Sequence, residues 1–366
     1  MRNFKDVKRI VIKVGTNVVT RDGRVDTDFI GHTARQVAEL IADDRAVLIV
    51  SSGAIGMGAC ELSIETRITD TKMRQACAAI GQPLLMHEYH KAFKSVNVKT
   101  AQLLMTADVL DNRKTYLNLR NSVEKLLSLS VVPIVNENDT VSTDEIGSAF
   151  GDNDRLSALV ASKIDADLLI MLSDIDAFYE ADPRRDPQAK PIDVVHEITD
   201  ELLEKAGANG SVHSTGGMRT KLQAAKIASS AGCRMVLANG RKENVIKAIM
   251  AGENTGTLFM PRCKLSNRKR WILNSAAAGT IWIDSGAVEA LRNNKSLLPK
   301  GIETLQGQFK AGAVVMINDI AKAVCDFDSE DLKKLIGRHS SEIKKILGSD
   351  NKETVSTAEN IVFLDY

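Results

Sequence analysis

The sequence predicts an α/β protein in which a mostly parallel sheet is sandwiched between helices and is followed by a small β-rich domain. Two observations predict the larger part. Short β-branched runs alternate with longer helical patterns as far as residue 259. These runs are apolar on both faces, which is typical of strands in a parallel sheet covered on both sides. A third observation, the short strand-like runs at residues 301–309, 313–317 and 321–327, predicts the β-rich domain.

The elements of the larger part follow one another in a regular order. The candidate strands are residues 9–14, 46–50, 98–105, 131–135, 167–172, 235–238 and 257–259. The candidate helices are residues 27–42, 71–93, 112–129, 154–164, 217–231 and 242–250. Ligands in such sheets bind at the carboxyl ends of the strands. We therefore expect the functional residues just after strands or at helix starts.

The overall composition limits the class of protein. The chain has 366 residues and a formal charge of +1, with 44% hydrophobic and 26% charged residues. This length gives two to three domains and a sizeable core. The small net charge argues against a globally electrostatic nucleic-acid or membrane binder. We place a first domain at residues 1–260, a basic linker at 261–278 and a small domain at 279–366.

Cysteine and histidine usage indicates a reduced protein without a structural metal. The five cysteines are scattered and form no C-x-x-C pair, which predicts neither a disulfide framework nor a zinc site. The six histidines show no metal-ligand spacing. No stretch approaches the length of a membrane span. We expect a cytoplasmic protein with no protein-held metal.

Two lysines in glycine-containing segments point to phosphoryl transfer. Lys13 lies in an apolar run that breaks at Gly15, and Lys221 closes residues 215–221 just before a helical pattern. Glycines and a helix N-terminus present backbone N–H groups to an anion, and a lysine adds a full charge. The alternative for Lys13 is an edge strand from which its side chain reaches water. No P-loop or G-x-G-x-x-G fingerprint is present.

Polar residues are dense at 136–140 and 150–154. Several carboxylates and carboxamides in one loop suit an ammonium group, a metal–nucleotide or both. Helix capping explains one of Asp152 and Asp154, but it does not explain the whole cluster. The turn at residues 50–58, rich in glycine and serine, fits either an anion site or tight packing of a helix on the sheet.

Taken in order, these segments resemble the glutamate 5-kinase family within the amino-acid kinase superfamily. The resemblance runs through residues 12–16, 51–54, 136–139, 151–154, 179–184 and 215–221, and therefore spans most of the chain. Residues 296–301 and the turn at Gly307 resemble the PUA domain that many bacterial members carry. The ordered set is far more specific than any single motif.

The resemblance implies ATP-dependent phosphorylation of the side-chain carboxylate of L-glutamate, for proline synthesis. It implies that Lys13 and Lys221 stabilise the transferring phosphoryl group and that Asp154 orients both lysines. The implied glutamate-binding residues are Ser52, Asp139, Asp152 and Asn153. The implied ATP-binding residues are Lys13, Gly15, Ser173, Asp174, Thr215, Gly216, Gly217, Met218, Arg219, Thr220 and Lys221.

The resemblance also implies partners. ATP is the co-substrate, with Mg²⁺ held mainly through the nucleotide phosphates; proline is an inhibitor, and the protein is a dimer or tetramer. Two alternatives remain open: a kinase of the same fold acting on acetylglutamate, aspartate or uridylate, and an RNA-binding protein on a kinase-like scaffold. The balanced charge and few aromatic residues after Gly279 disfavour RNA binding.

Overall fold

The computed structural model describes residues 2–21, 24–66, 68–106, 113–141, 153–183, 186–199, 201–204, 217–262, 264–348 and 353–364. The chain divides into two compact units, Met1–Lys264 and Leu265–Tyr366. None of the described helices is both long enough and apolar enough to cross a bilayer.

The first unit contains the predicted alternation of strands and helices. Its strands are β1 (Arg9–Val14), β2 (Thr20–Arg21), β3 (Arg24–Val25), β4 (Ala46–Ser51), β5 (Lys99–Met105), β6 (Val131–Glu137), β7 (Leu168–Ser173), β8 (Val194–Val195), β9 (Arg234–Asn239) and β10 (Thr257–Phe259). Its helices are α1 (Thr16–Val19), α2 (Thr27–Ala42), α3 (Ala54–Glu61), α4 (Thr71–Ser95), α5 (Arg113–Ser128), α6 (Asn153–Lys163), α7 (Met218–Ser230) and α8 (Val245–Met250).

Eight of these strands form one sheet in the order β5-β6-β4-β1-β7-β9-β10-β8. The first six strands in this order are parallel, β10 is antiparallel to β9, and β8 is parallel to β10. The predicted mostly parallel sheet between helices is therefore confirmed. Strand β1 lies in the interior of the sheet, so the edge-strand alternative for Lys13 is wrong.

The side chains of β1 alternate between two apolar cores. Ile10 and Ile12 pack with residues of α2 and α4, whereas Val11 packs with residues of α6 and α7. Successive side chains of a strand point to opposite faces, so Lys13 lies on the same face as Val11. The strand alternation thus directs this lysine toward the N-terminal turns of α6 and α7.

The second unit has a separate core and a sheet in the order β12-β11-β13-β14-β15. Its strands are β11 (Thr280–Ile283), β12 (Ile302–Gln306), β13 (Val314–Ile317), β14 (Ala321–Val324) and β15 (Ile361–Phe363). Its α-helices are α9 (Asn267–Asn274), α10 (Ser285–Arg292), α11 (Ser329–Leu335) and α12 (Ile343–Leu347). The predicted β-rich domain at the C-terminal end is confirmed.

Helix α9 differs from the expected basic linker at residues 261–278. The Ser266 side chain caps its N-terminus by accepting a hydrogen bond from Lys269 N–H. Ile272 is fully buried and packs in a small cluster with Val314, Val324 and Val362. The basic residues of this segment concealed a short amphipathic helix that belongs to the second unit.

Candidate active site

The carboxyl ends of neighbouring strands meet at one edge of the sheet. The N–H of Gly15, after β1, donates to the carbonyl of Leu172 in β7 at 3.0 Å. The N–H of Ser52, after β4, donates to the carbonyl of Val14 in β1 at 3.2 Å. These bonds continue the parallel ladders and hold the residues that follow β1 and β4 at the same edge.

A buried ion-pair cluster lies on one face of this edge. Lys13 Nζ is 2.7 Å from Asp154 Oδ1, and Lys221 Nζ is 3.0 Å from Asp154 Oδ2. The hydroxyl of Thr220 also donates to Asp154 Oδ2, at 2.9 Å. The whole-residue exposures of Lys13, Asp154 and Lys221 are 1%, 0% and 5%. One carboxylate therefore lies between two lysines that are distant in sequence.

The two lysines of this cluster determine the charge of Asp154. Burial by itself would raise the pKa of Asp154, but the charges of Lys13 and Lys221 outweigh burial and lower that pKa below its usual value. The carboxylate is ionised at neutral pH and faces two lysines, and Asp174 lies within the electrostatic reach of Lys221. Two lysine side chains held close together attract an anion such as a phosphate group. The cluster is therefore suited to bind an anion.

Gly15 leaves space beside this cluster. A Cβ atom at this position would lie 3.3 Å from the carbonyl oxygen of Leu172 and 3.5 Å from Nζ of Lys13. The first contact is tighter than ordinary van der Waals contact, and the second is ordinary contact with the ammonium group. A glycine here therefore lets the turn after β1 pass close to the carbonyl of Leu172.

A neutral hydrogen-bond network lies beside the ion-pair cluster. Asn153, the residue before Asp154, donates from Nδ2 to the carbonyl of Ser51 at 2.6 Å, to Oγ of Ser52 at 3.1 Å and to Oδ1 of Asn136 at 2.8 Å. Asn136 in turn donates from Nδ2 to Oε1 of Gln82 on α4, at 2.7 Å. The first turn of α6 thus contributes one residue to each cluster.

Sequence reasoning missed two members of this network and a neighbouring tyrosine. Asn136 belonged to a recognised motif but was not assigned a role, and no motif or spacing identified Gln82 or Tyr89 in the long helix α4. The buried hydroxyl of Tyr89 lies 2.9 Å from Oγ of Ser51. Burial raises the pKa of Tyr89 to about 12, so its hydroxyl stays protonated.

Asp139 follows β6, and the pKa of its carboxyl group is raised. Burial raises the pKa of Asp139 to about 6, against the opposing charge of Arg74 on α4. A carboxylate in such surroundings gains from a nearby cation. This environment suits an ammonium group of a ligand.

On the other side of β1, Ser173 ends strand β7 and Asp174 follows it. The Asp174 carboxylate accepts hydrogen bonds from the Ser173 hydroxyl at 3.1 Å and from Asn17 Nδ2 at 2.8 Å. Burial would raise the pKa of Asp174, but these hydrogen bonds and the charge of Lys221 lower it overall. Asn17 on α1 is another residue that sequence reasoning did not single out.

The remaining assigned residues fall into two groups. Gly217, Met218 and Arg219 form the N-cap and first residues of α7, directly before Thr220 and Lys221. Asp152, Thr215 and Gly216 lie outside the described residues. Within the described part of the chain, no three His, Cys, Asp or Glu side chains are grouped to hold a metal ion.

The glycines of the turn at residues 50–58, for which the sequence left open an anion site or tight helix packing, have different structural roles. Gly53 has φ of 108°, a left-handed conformation that favours glycine, and it caps the N-terminus of α3. A Cβ at Gly58 would lie only 1.8 Å from the carbonyl oxygen of Cys77, and one at Gly81 would lie 1.9 Å from that of Ala54. The packing alternative therefore explains Gly58, because α3 and α4 approach closely there.

Comparison with known proteins gives a consistent relationship. Residues 8–239 match the amino acid kinase family, and residues 279–347 match the PUA domain. The chain is 45% identical to the glutamate 5-kinase of Methanosarcina mazei, over 99% of this chain and 97% of that protein. It is 44% identical to the glutamate 5-kinase of Geobacter sulfurreducens, over 98% of each. The carbamate kinase from Giardia lamblia shares the fold, with a TM-score of 0.51 at 13% identity over 69% of this chain and 98% of that chain.

Proposed function

This chain belongs to the amino acid kinase family, and we propose that it transfers the terminal phosphoryl group of ATP to the side-chain carboxylate of L-glutamate. The product is L-glutamyl 5-phosphate, and the pathway is proline biosynthesis. The observation that carries the proposal is the buried cluster of Lys13, Asp154 and Lys221, in a chain 45% identical to a named glutamate 5-kinase.

The ion-pair cluster supports a phosphoryl-transfer role. Transfer of a phosphoryl group depends mainly on positioning and on stabilising the charge of its oxygens. Lys13 and Lys221 contact different oxygens of one carboxylate, so Asp154 holds two ammonium groups in fixed positions. In our proposal these lysines contact the transferring group and the oxygens on either side of it, and Asp154 orients them.

The acceptor needs no general base. A glutamate side chain has an ordinary pKa of about 4.3, so its carboxylate is already ionised and nucleophilic at neutral pH. The residues of this chain are therefore required to bind, orient and shield the reactants. This requirement agrees with an arrangement that, among the described residues, is built from lysines and carboxamides without a histidine.

We assign glutamate binding to the neutral network and to the loop after β6. Ser52 and Asn153 supply polar groups to the carboxylates, and Asp139 faces the ammonium group, together with Asp152. Support comes from the bond between Asn153 and Ser52 and from the raised pKa of Asp139, which a cation would relieve. Acetylglutamate lacks the ammonium charge and is disfavoured by this arrangement.

We assign ATP to the side of the edge formed by β7 and α7. The N-terminal turn of α7 begins after Gly217 and offers N–H groups and a partial positive charge to phosphates. Ser173 and Asp174 border the same region, because Asp174 is within the electrostatic reach of Lys221. ATP enters as its Mg²⁺ complex, and the ion is held mainly through the nucleotide phosphates.

We also propose that proline inhibits by competing with glutamate. Proline has an α-carboxylate and an adjacent charged nitrogen, which are the groups assigned to Ser52, Asn153 and Asp139. An inhibitor with these groups needs no separate pocket. Titrating proline at low and high glutamate tests this, because competition requires the apparent inhibition constant to rise with glutamate. A constant independent of glutamate contradicts it.

Trapping the acyl phosphate tests the proposed reaction. The protein is incubated with MgATP, hydroxylamine and one acceptor, and the hydroxamate is measured together with ADP. We expect hydroxamate with L-glutamate and little with L-aspartate or N-acetylglutamate, and we expect no ADP above background with UMP. Faster turnover of aspartate, N-acetylglutamate or UMP than of glutamate would contradict the proposed substrate.

A further inference from the structure

The orientation of the carboxamides in the neutral network is determined by two backbone groups, one beside Asn153 and one beside Asn136. Asn153 Nδ2 faces the carbonyl of Ser51, which only accepts. Asn136 Oδ1 receives the N–H of Glu137 at 2.9 Å, which only donates. Asn136 must therefore donate from Nδ2 to Gln82, and Gln82 must accept this hydrogen bond with Oε1. No other arrangement of the three amides satisfies both backbone groups.

We infer that Gln82 is a positioning residue for the acceptor substrate, acting through Asn136 on Asn153. The inference rests on the proposed function, because Asn153 is there assigned to glutamate. Each of the three side chains is less than 10% exposed, with values of 8%, 2% and 7% for Gln82, Asn136 and Asn153. In such surroundings a missing hydrogen-bond partner is costly, so removing the Gln82 acceptor forces Asn136 to turn or to remain unpaired.

Helix α4 is placed to carry this function because it contacts the ends of two neighbouring strands. Gln82 meets Asn136 at the end of β6, and Tyr89 meets Ser51 at the end of β4. The two residues are seven apart, which places them on the same face of the helix. Gly81 packs closely against the backbone of α3, and this contact fixes the distance between α4 and α3. The helix therefore holds the strand ends that carry Ser52 and Asn136, and both of these residues contact Asn153.

The first test removes the acceptor while keeping the length of the side chain. Gln82→Met should raise the KM for glutamate about 10- to 100-fold and leave the KM for ATP within about twofold. The change in kcat should be no more than about threefold, because the ion-pair cluster is untouched. Gln82→Glu keeps an oxygen that accepts from Asn136 and should recover most of the glutamate affinity.

A double variant tests the link between the two residues. In Asn136→Asp, the new carboxylate still accepts from Asn153 and Glu137, and the Gln82 amide can turn to donate to it. In the double variant Gln82→Glu with Asn136→Asp, two carboxylates face each other, and a hydrogen bond between them requires one of them to take up a proton. At pH 8, where that uptake is unfavourable, we expect the glutamate KM of the double variant to exceed the product of the two single effects by about tenfold.

Gln36 provides a matched control within the same unit. It is 7% exposed, and its Oε1 accepts hydrogen bonds from the N–H groups of Ile246 and Lys247 at the start of α8. Gln36→Met therefore removes a buried acceptor of the same kind. It should lower the melting temperature and leave both KM values within about twofold.

The results separate this inference from the proposed function. An unchanged glutamate KM in Gln82→Met, or equal rises in the KM of glutamate and ATP, overturns the positioning role. Purely multiplicative effects in the double variant overturn the coupling to Asn136. By contrast, a wild-type protein that forms no glutamyl hydroxamate with MgATP overturns the proposed function itself, whatever the variants do.

Discussion

The ion-pair cluster of Lys13, Asp154 and Lys221, called the charged cluster below, and the neutral network share the first turn of α6. The two differ in physical character. Asp154 joins two lysines through full charges, whereas its neighbour Asn153 joins Ser52 and Asn136 through directed hydrogen bonds. Charges stabilise a transition state whose own charge is changing, and directed bonds fix the geometry of a bound ground state. We therefore expect substitutions in the charged cluster to lower kcat and substitutions in the neutral network to raise the glutamate KM.

The largest expected effect comes from removing a lysine. Lys221→Ala and Lys13→Ala should each lower kcat about 10³-fold, because the transferring group loses a charge partner in a largely dry site. Steady-state kinetics with glutamate and ATP would show this, with circular dichroism as a check of folding. Lys226→Ala, on the same helix as Lys221, serves as a control and should keep normal turnover. Near-normal turnover in either cluster variant would contradict the charge role.

The next effect concerns Asp139, the carboxylate that we assign to the ammonium group of glutamate. Asp139→Ala should raise the glutamate KM about 10- to 100-fold, and the ATP KM should change by less than about threefold. The matched comparison is Asp176→Ala, which removes a half-exposed carboxylate paired with Lys242 after β7. Equal changes in both KM values for Asp139→Ala would mean that this residue maintains the structure of the whole site and does not bind glutamate specifically.

A pH profile gives a smaller effect with a definite sign. Burial raises the pKa of Asp139 to about 6, so this carboxylate becomes protonated below that pH and loses its attraction for an ammonium group. The glutamate KM should rise about tenfold per pH unit below 6. The folded state then binds the proton more tightly than the unfolded state, so stability from this group falls as pH rises from about 4 to 6.

The raised pKa of Asp139 also predicts that removing its charge stabilises the folded protein. Asp139→Asn should raise the melting temperature more at pH 8 than at pH 5, because only the wild-type residue must stay ionised in a partly buried position at the higher pH. Thermal unfolding of both proteins at the two pH values measures this. A variant that is equally or less stable at pH 8 would show that the carboxylate is not held in an unfavourable environment.

The smallest effect is expected from removing the second unit. Every described residue of both clusters lies in Met1–Lys264, which has its own two apolar cores. A chain ending at Lys264 should fold and retain kcat and both KM values within about threefold. A folded, soluble chain without activity would show that the second unit completes the site.

Local motifs predicted the two lysines individually, whereas only the family resemblance implied that both contact Asp154. The glycine after Lys13 and the helical pattern after Lys221 identified both lysines from the sequence. Their contact with one carboxylate depends on strand alternation in β1 and on the packing of α6 and α7 against the same face of the sheet. These are tertiary facts that no local spacing encodes.

The neutral network was the least predictable part of the site. Gln82 lies in a 25-residue helix where its neighbours give no sign of a polar role. Its contact with Asn136 follows from the strand order, in which β6 and β4 are adjacent although β5 lies between them in the chain. Similarly, the basic residues around α9 hid the capping Ser266 and the buried Ile272 that define a helix.

The most direct test compares the two adjacent residues of α6. Steady-state kinetics would be measured for Asn153→Ala and Asp154→Asn, with melting temperatures confirming that both are folded at the assay temperature. We predict that Asn153→Ala raises the glutamate KM about tenfold or more, whereas Asp154→Asn lowers kcat about 100-fold or more at a nearly unchanged glutamate KM. The same division between kcat and KM in both variants would contradict the separation of the charged cluster from the neutral network.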